Sequence, residues 1–349
     1  MKKSSWIVLP MVFMVLVHLG AITSTAAAQS PPKTIDIKIA TPKPPMSSPV
    51  RAFKEWAQKV ETASAGRVKI TIYPAQSLVK LADVVQSTEK GICDIGDLVI
   101  NREDQRFPLS SLVCLPFLGL GDPYETGVQT WMEVESKFPE MKKENSRFKV
   151  LYRHVSNGGH IHTAKKPVRV PDDTKGLKVI AGGHLATIMK AAGASPLAIS
   201  VPEWYASLER GLAQGQVVHY HGLYETKIYK LLPYHTELGY GVAFNAEEFI
   251  MSWETWNKLP TDIQKIFDDL SPWLTNRVAE LILEVDREAL AVMKKEKHTF
   301  IKASPQDEKL WYDIAYPLHK EWVDKFQAAG LPAKAVYEEI LRVGKKLRK

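Results

Sequence analysis

The stretch 176-GLKVIAGGH-184 decides how the chain is read. A short apolar run, Val179 to Ala181, closes on Gly182-Gly183 and a histidine. That is the pattern of a buried strand turning at its end. In open α/β proteins ligands sit at such strand ends. Sites for organic acids commonly hold an arginine there, and this stretch has none. Around it the same rhythm repeats: strands are expected at 159–163 and 177–181, a helix at 185–192, the short strand PLAIS at 196–200, a helix at 203–214 and the apolar pair Val217-Val218.

Toward the N-terminus, Ile35, Ile37 and Ile39 alternate with Asp36 and Lys38, a strand with one buried face. After the loop TPKPPMSSP, Ser48 is suited to cap a helix that has Pro49 at its first position. Val50, Phe53, Ala57 and Val60 form the apolar face of that helix. Val68, Ile70 and Ile72 form a second alternating strand. A helix over 78–90 stopped by Gly91, a strand over 92–100, an extended segment SSLVCLPF, helix over 124–145 and a strand over 148–155 follow. Strand and helix alternate throughout, which argues an α/β protein in two lobes.

Toward the C-terminus the chain turns helical. Thr261 and Gln264 have capping-box spacing. Apolar positions then recur from Ile263 to about His298, through a Pro272 expected to kink the helix. Such a helix is long enough to join both lobes. Two more helices, at 308–329 and 332–347, complete the chain.

The 349 residues suit two domains. A 45% hydrophobic, 24% charged composition excludes a disordered chain. Nine Trp and twelve Tyr offer wide aromatic surface for packing or stacking. Lys2 and Lys3, an apolar run from Trp6 to Leu19 and Ala26-Ala27-Ala28 read as a secretory signal peptide over 1–28, cleaved before Gln29. The apolar run is too short for a comfortable membrane span. The net charge of +7 is spread out, and the basic end GKKLRK reads as a solvated helix terminus, so nucleic acid is not an expected partner. Export permits a disulfide between Cys93 and Cys114, with two buried free thiols as the alternative.

Seven segments then occur in a telling order: AGRVKITIYPAQSL, KGICDIG, VCLPFLGLGD, KGLKV, SLERGLAQGQ, YETKIYKLLPYHTEL and SWETWNKLPTDIQKIF. With them the chain resembles the extracytoplasmic solute receptors of TRAP transporters, the C4-dicarboxylate-receptor-like (DctP) family. The resemblance implies an α/β, two-lobed periplasmic binding protein with a hinge and a long helix crossing both lobes. It implies a small-molecule solute, delivery to membrane permease subunits, and no cofactor. The lobes are expected at 29–156 with 244–285, and at 157–243 with 286–349.

The resemblance also exposes departures. The family arginine that clamps a carboxylate falls at Ile180. A second arginine, after an N-G pair, falls at His160. A family segment V-D-G-Q-E-N reads A-Q-G-Q-V-V here, putting Gln214 for an acid and Val218 for an asparagine. Three polar anchors lost in the apolar or weakly basic direction point to an altered ligand: an apolar, aromatic or ring-containing solute packed on Ile180, Val218 and Trp204. His160 would donate a hydrogen bond to it. An aromatic acid fits if Arg102 or His160 takes over the carboxylate. Tyr205, Tyr220 and Tyr224 lie beside the cleft segments, Asp97, Asn101 and Arg102 follow the GICDIG strand, and Met46 and Ser47 are placed at the cleft mouth. Trp256 is read as structural. HIH at 160–162 and HYH at 219–221 put two imidazoles on one face if each lies on a strand. That spacing suits a metal, but hydrogen bonding to the solute is the preferred reading. No G-x-S-x-G, H-E-x-x-H or P-loop is present, so no enzyme is expected. A ligand-sensing partner of a membrane signalling protein is the alternative, with a secreted hydrolase behind it.

Overall fold

The alternating isoleucines of β1 (Ile35–Ala40) bury Ile37 and Ile39 and place the strand between two parallel neighbours, β2 (Val68–Tyr73) and β3 (Ile95–Val99). The computed structural model describes residues 34–121, 124–239, 241–242 and 244–348, so the expected leader at 1–28 lies outside the described residues. β3 is buried along its whole length, and β10 (Ala246–Ser252) runs antiparallel between it and β4 (Phe148–Val155). The first sheet is thus ordered β2-β1-β3-β10-β4. Phe53 and Trp56 of helix Ser48–Ala63 pack with Phe249 of β10, and with Ile263, Phe267 and Leu274 of helix Thr261–Lys295.

The second sheet has the order β11-β9-β5-β8-β6-β7. Its strands are β5 (His160–Thr163), β6 (Lys178–Ile180), β7 (Ser195–Leu197), β8 (Gly215–Val218), β9 (Tyr234–Glu237) and β11 (Thr299–Lys302). β6 is parallel to both its neighbours, and β5 is antiparallel to both of its own.

The chain crosses between the sheets at 156–159, at 238–245 and along helix Thr261–Lys295. This helix begins in the core of the first sheet with Ile263 and Phe267, and ends in that of the second with Ala289 and Met293. The two short crossings are laced together. Ser156 N–H donates to Asn245 O at 2.9 Å, Asn245 N–H returns to Ser156 Oγ at 2.9 Å, and Val242 N–H reaches Gly159 O at 2.8 Å. Their backbones touch directly. A Cβ on Gly121 would lie 2.2 Å from Gly158 N, and one on Gly241 would lie 2.2 Å from Gly158 Cα. The long helix is tied to the crossings by its buried Asp286, which accepts from Asn157 Nδ2 and, at 2.6 Å, from His221 N–H.

Several local expectations give way. SSLVCLPF is not extended: Pro108–Ser111 is helical and Leu112–Cys114 is a 3₁₀ turn. Pro108 takes a first-turn position that needs no N–H, and a short apolar run does not distinguish a buried helix from a strand. Cys93 and Cys114 are free and buried, with Cys114 Sγ accepting from Ala246 N–H at 3.3 Å. Gln264 does not complete a capping box, because its Nε2 donates to Trp256 O at 2.8 Å. Pro272 lies inside a continuous 35-residue helix. Ser47, not Ser48, precedes the first helix, and Ser48 N–H donates at 2.5 Å to Glu225 Oε1 of the short helix Tyr220–Glu225. The last helix, Ala333–Leu347, packs Val336, Ile340 and Val343 beside Leu112 and Trp131 of the first lobe. That departs from the expected grouping of 286–349 with the second.

Candidate functional site

The strand ends do what their apolar runs foretell. β3, β6 and β8 each stop at one gap between the sheets, where the chain turns and residues after each strand line the gap. The gap holds a cavity of about 270 Å³. Ile180, Leu197, Ile199, Val218, Trp204 and Phe244 give it apolar walls. Trp204 is fixed there by Nε1–H donating to Ile199 O at 3.0 Å.

Polar groups enter from the first lobe. The 3₁₀ turn Ile100–Arg102 that ends β3 delivers Asn101 and Arg102. Asn101 Nδ2 donates to Asn245 Oδ1 at 3.1 Å. The Arg102 guanidinium lies on the backbone of Gly182: a Cβ there would stand 1.8 Å from Nη1. Gly183 has φ +59°, and a Cβ on it would meet Asn101 O at 2.8 Å. The glycine pair is where the backbone of the second lobe lies against the first. Among the described residues Arg102 has neither a hydrogen-bond acceptor nor a carboxylate partner. Solvent reaches its side chain through the gap, while the enclosing walls pull its pKa below the usual guanidinium value.

Past Trp204 and Val218 lies a second chamber of about 180 Å³, sharing Arg102 and His219 with the first. Lys43 Nζ lies on its wall, 2.6 Å from Asp97 Oδ2 and 3.0 Å from Glu247 Oε2. Burial works against that ammonium, but the two carboxylates outweigh it and hold Lys43 above its usual value. Thr41 Oγ1 donates to Asp97 at 2.5 Å. His219 and His221 stack with centroids 4.9 Å apart at 5°. Burial would lower His221, but Asp286 beside it raises it above its ordinary value. His219 is held well below its own, by burial first and then by the charge of His221. Its ring forms no hydrogen bond within the protein, although only 7% of the residue is exposed.

Of the residues singled out from sequence, Ile180, Val218, Trp204, Asn101 and Arg102 border the main cavity, and Ser47 borders the second chamber. Several others do not. Tyr220 is interior: its hydroxyl donates to Glu237 Oε1 at 2.8 Å and its ring covers His160 and His162 at 5.2 and 5.5 Å. His160 is therefore packed into the second lobe, and borders neither chamber. Met46 is 74% exposed on an outer groove with Arg51 and Tyr224, because the loop turns it away from the gap. Asp97 is sealed in its pairing with Lys43 and Thr41, and Gln214 accepts from Lys178 N–H at 3.1 Å. Tyr205 is half exposed, and Tyr224 donates to Glu288 at 2.8 Å. Trp256 packs on Phe267.

HYH is not on a strand, since β8 ends at Val218 and a helix starts at Tyr220; that turn carries His219 to both chambers. Among the described residues no group of three or more His, Cys, Asp or Glu side chains is arranged to hold a metal. Gln216, Phe244, Asn245 and His184 also border the main cavity and were not singled out. Gln216 was visible as the alternate position to Val218 on a strand. The ring of His184 packs on Trp322 at 4.4 Å. Phe244 and Asn245 carry no sequence signal, since only the crossing of the chain brings them here.

A sequence model of the bacterial extracellular solute-binding proteins, family 7 (DctP), matches residues 39–325. A solute-binding protein of Albidiferax ferrireducens is 25% identical over 267 residues, 76% of this chain and 78% of its own. Among solved structures, a TRAP periplasmic solute-binding protein from Desulfovibrio salexigens in an open complex is similar with a TM-score of 0.75 at 28% identity, covering 89% of this chain and 96% of that one. A marine metagenome TRAP solute-binding protein specific for aromatic acid ligands, in complex with metahydroxyphenylacetate, is similar with a TM-score of 0.80 at 21% identity, covering 90% and 100%.

Proposed function

The chain belongs to family 7 of the bacterial extracellular solute-binding proteins, and from that premise we propose that its cleft captures an aromatic monocarboxylate on Arg102. It is a TRAP solute receptor, which hands a small organic solute to membrane permease subunits. The observation that carries the proposal is the unpartnered Arg102 guanidinium over Gly182, at the edge of a cavity that Ile180, Val218, Trp204 and Phe244 wall with apolar surface. A guanidinium fork takes one carboxylate in two parallel hydrogen bonds. Ile180 stands where the family clamp usually is, so the acid group is taken from the opposite lobe. Ile180, Val218, Trp204 and Phe244 then enclose a ring. A second carboxylate set among them, desolvated and unpaired, costs several kcal/mol. The aromatic acid held by the metagenome receptor supports this reading.

The solute leaves unchanged, with no catalysis. The chain is exported and cleaved after Ala28; N-terminal sequencing of the exported protein should return Gln29, and an intact Met1 would refute it. The lobes divide at the crossings near 156 and 244 and within the long helix.

Calorimetry on the exported protein tests the cleft. Benzoate or phenylacetate should bind, and Arg102→Met should weaken either by about 100-fold, the loss of a charge-assisted pair worth ~3 kcal/mol. Succinate, malate and fumarate should bind weakly, and Ile180→Arg should not improve an aromatic acid. Submicromolar succinate binding would overturn the proposal.

A further inference from the structure

The second chamber is not explained by a carboxylate and a bare ring. It shares Arg102, Trp204, Val218 and His219 with the main cavity, so a solute anchored on Arg102 lies within reach of it. Apolar side chains supply much of its lining, and most of the polar groups set among them are already engaged. Lys43 is paired with both Asp97 and Glu247. Glu225 accepts from Ser48 N–H, and His221 is held by Asp286. Apart from Arg102, which the anchor reading gives to the solute carboxylate, the side chain left free is His219, which borders both chambers, is almost fully buried, and has no hydrogen-bond partner for its ring. A buried polar group without a partner calls for a partner from outside the chain.

We infer that the second chamber reads a neutral hydrogen-bonding group at the far end of the solute, a hydroxyl on its ring, through the imidazole of His219. The inference rests on the reading of Arg102 as the carboxylate anchor. Charge decides against a second acid. The carboxylates in and behind the chamber wall, Asp97, Glu247, Glu225 and Asp286, outnumber the cations Lys43, His221 and Arg102; the first two are paired, and Arg102 is taken by the anchored carboxylate. A second carboxylate entering there meets net negative charge and no free donor of its own. A hydroxyl brings no charge and both gives and accepts a hydrogen bond. The imidazole beside it, kept neutral by burial and by His221, does the same. Stacking on His221 holds the ring in place. The solute class is therefore a hydroxylated aromatic monocarboxylate.

The probes are phenylacetate, 3-hydroxyphenylacetate, 4-hydroxyphenylacetate and 4-carboxyphenylacetate, titrated by calorimetry into the full exported chain. The better of the two hydroxylated acids should bind about tenfold tighter than phenylacetate, the effect of one well-placed buried hydrogen bond. 4-Carboxyphenylacetate should bind more weakly than that acid by at least about as much. In His219→Phe, which keeps the stacking on His221, the hydroxyl preference should shrink to less than about threefold. His219→Asn, still able to hydrogen-bond, should retain part of it. If the phenylalanine variant does not fold, the asparagine variant and the dicarboxylate titration decide. Equal binding with and without the hydroxyl, a preference that survives in His219→Phe, or 4-carboxyphenylacetate as the tightest ligand overturns the inference. Arg102→Met separates the two readings. If it weakens no acid, the anchor itself is wrong; if it weakens all four while hydroxylation makes no difference, only the role of His219 fails.

Discussion

Gly182 has no side chain in the place that the Arg102 guanidinium occupies. Gly182→Ala should therefore push that group aside. The clash is with the end of a flexible side chain, so stability should change by no more than about 1 kcal/mol. Affinity for an aromatic acid should fall by about tenfold, because a misplaced fork loses its paired hydrogen bonds. Calorimetry beside a thermal melt separates the two effects, and equal losses in both would contradict the account. Asp286 and His221 give a second test at this scale. Burial opposes the Asp286 carboxylate, but His221 holds its pKa below the ordinary 3.8, and His221 is raised above 6.5. The stabilisation from Asp286 is present above 3.8 and is lost as pH falls through its depressed value; that from His221 is complete below 6.5 and is lost as pH rises through its raised value. The pair thus supports the fold most between those two limits. Asp286→Asn should remove the loss of stability expected above pH 6.5, read by urea unfolding at a series of pH values. An unaltered alkaline slope would assign it to other groups.

Helix Ser48–Ala63 shows how one element serves two lobes. Its first turn has N–H groups without intrahelical partners, and the Glu225 carboxylate from the second lobe takes that of Ser48. The contact closes a distance of 177 residues along the chain, and it exists only when the lobes meet. Glu225→Ala should therefore weaken every aromatic monocarboxylate by one common factor, about tenfold for a lost charged hydrogen bond. Unequal losses across a panel of aromatic monocarboxylates would mean that Glu225 touches the solute. Elements of this kind were legible by halves. The alternation of Ile35, Ile37 and Ile39 and the apolar face of Val50, Phe53 and Val60 are local signals, and they gave the strand and the helix. The cap was not legible, because Ser48 and Pro49 hold a complete local motif and the real partner comes from another lobe. HYH failed for a similar reason. Nothing within those three residues says that β8 ends one position earlier, and the turn decides which imidazole faces the cavity. Arg102 was placed after the right strand, but its seat on Gly182, eighty positions on, belongs to the packing of two sheets and not to either segment.

The whole molecule should close on its solute. The long helix is rooted in both cores and the short crossings are hydrogen-bonded to each other, so the lobes should turn as rigid bodies. Small-angle scattering should give a smaller radius of gyration at saturation with an aromatic acid than without it. An unchanged radius would count against closure, though not against binding. The point about which they should turn is where Gly121, Gly158 and Gly241 let bare backbones touch. A joint without side chains has no rotamers to rearrange and no packing to rebuild when it moves. The residues proposed to choose the cargo sit elsewhere, at strand ends and in the turns after them. Inheritance can therefore rewrite Ile180, Val218 or His219 for a new nutrient while the joint keeps working untouched, and a change of diet need not become a change of mechanism.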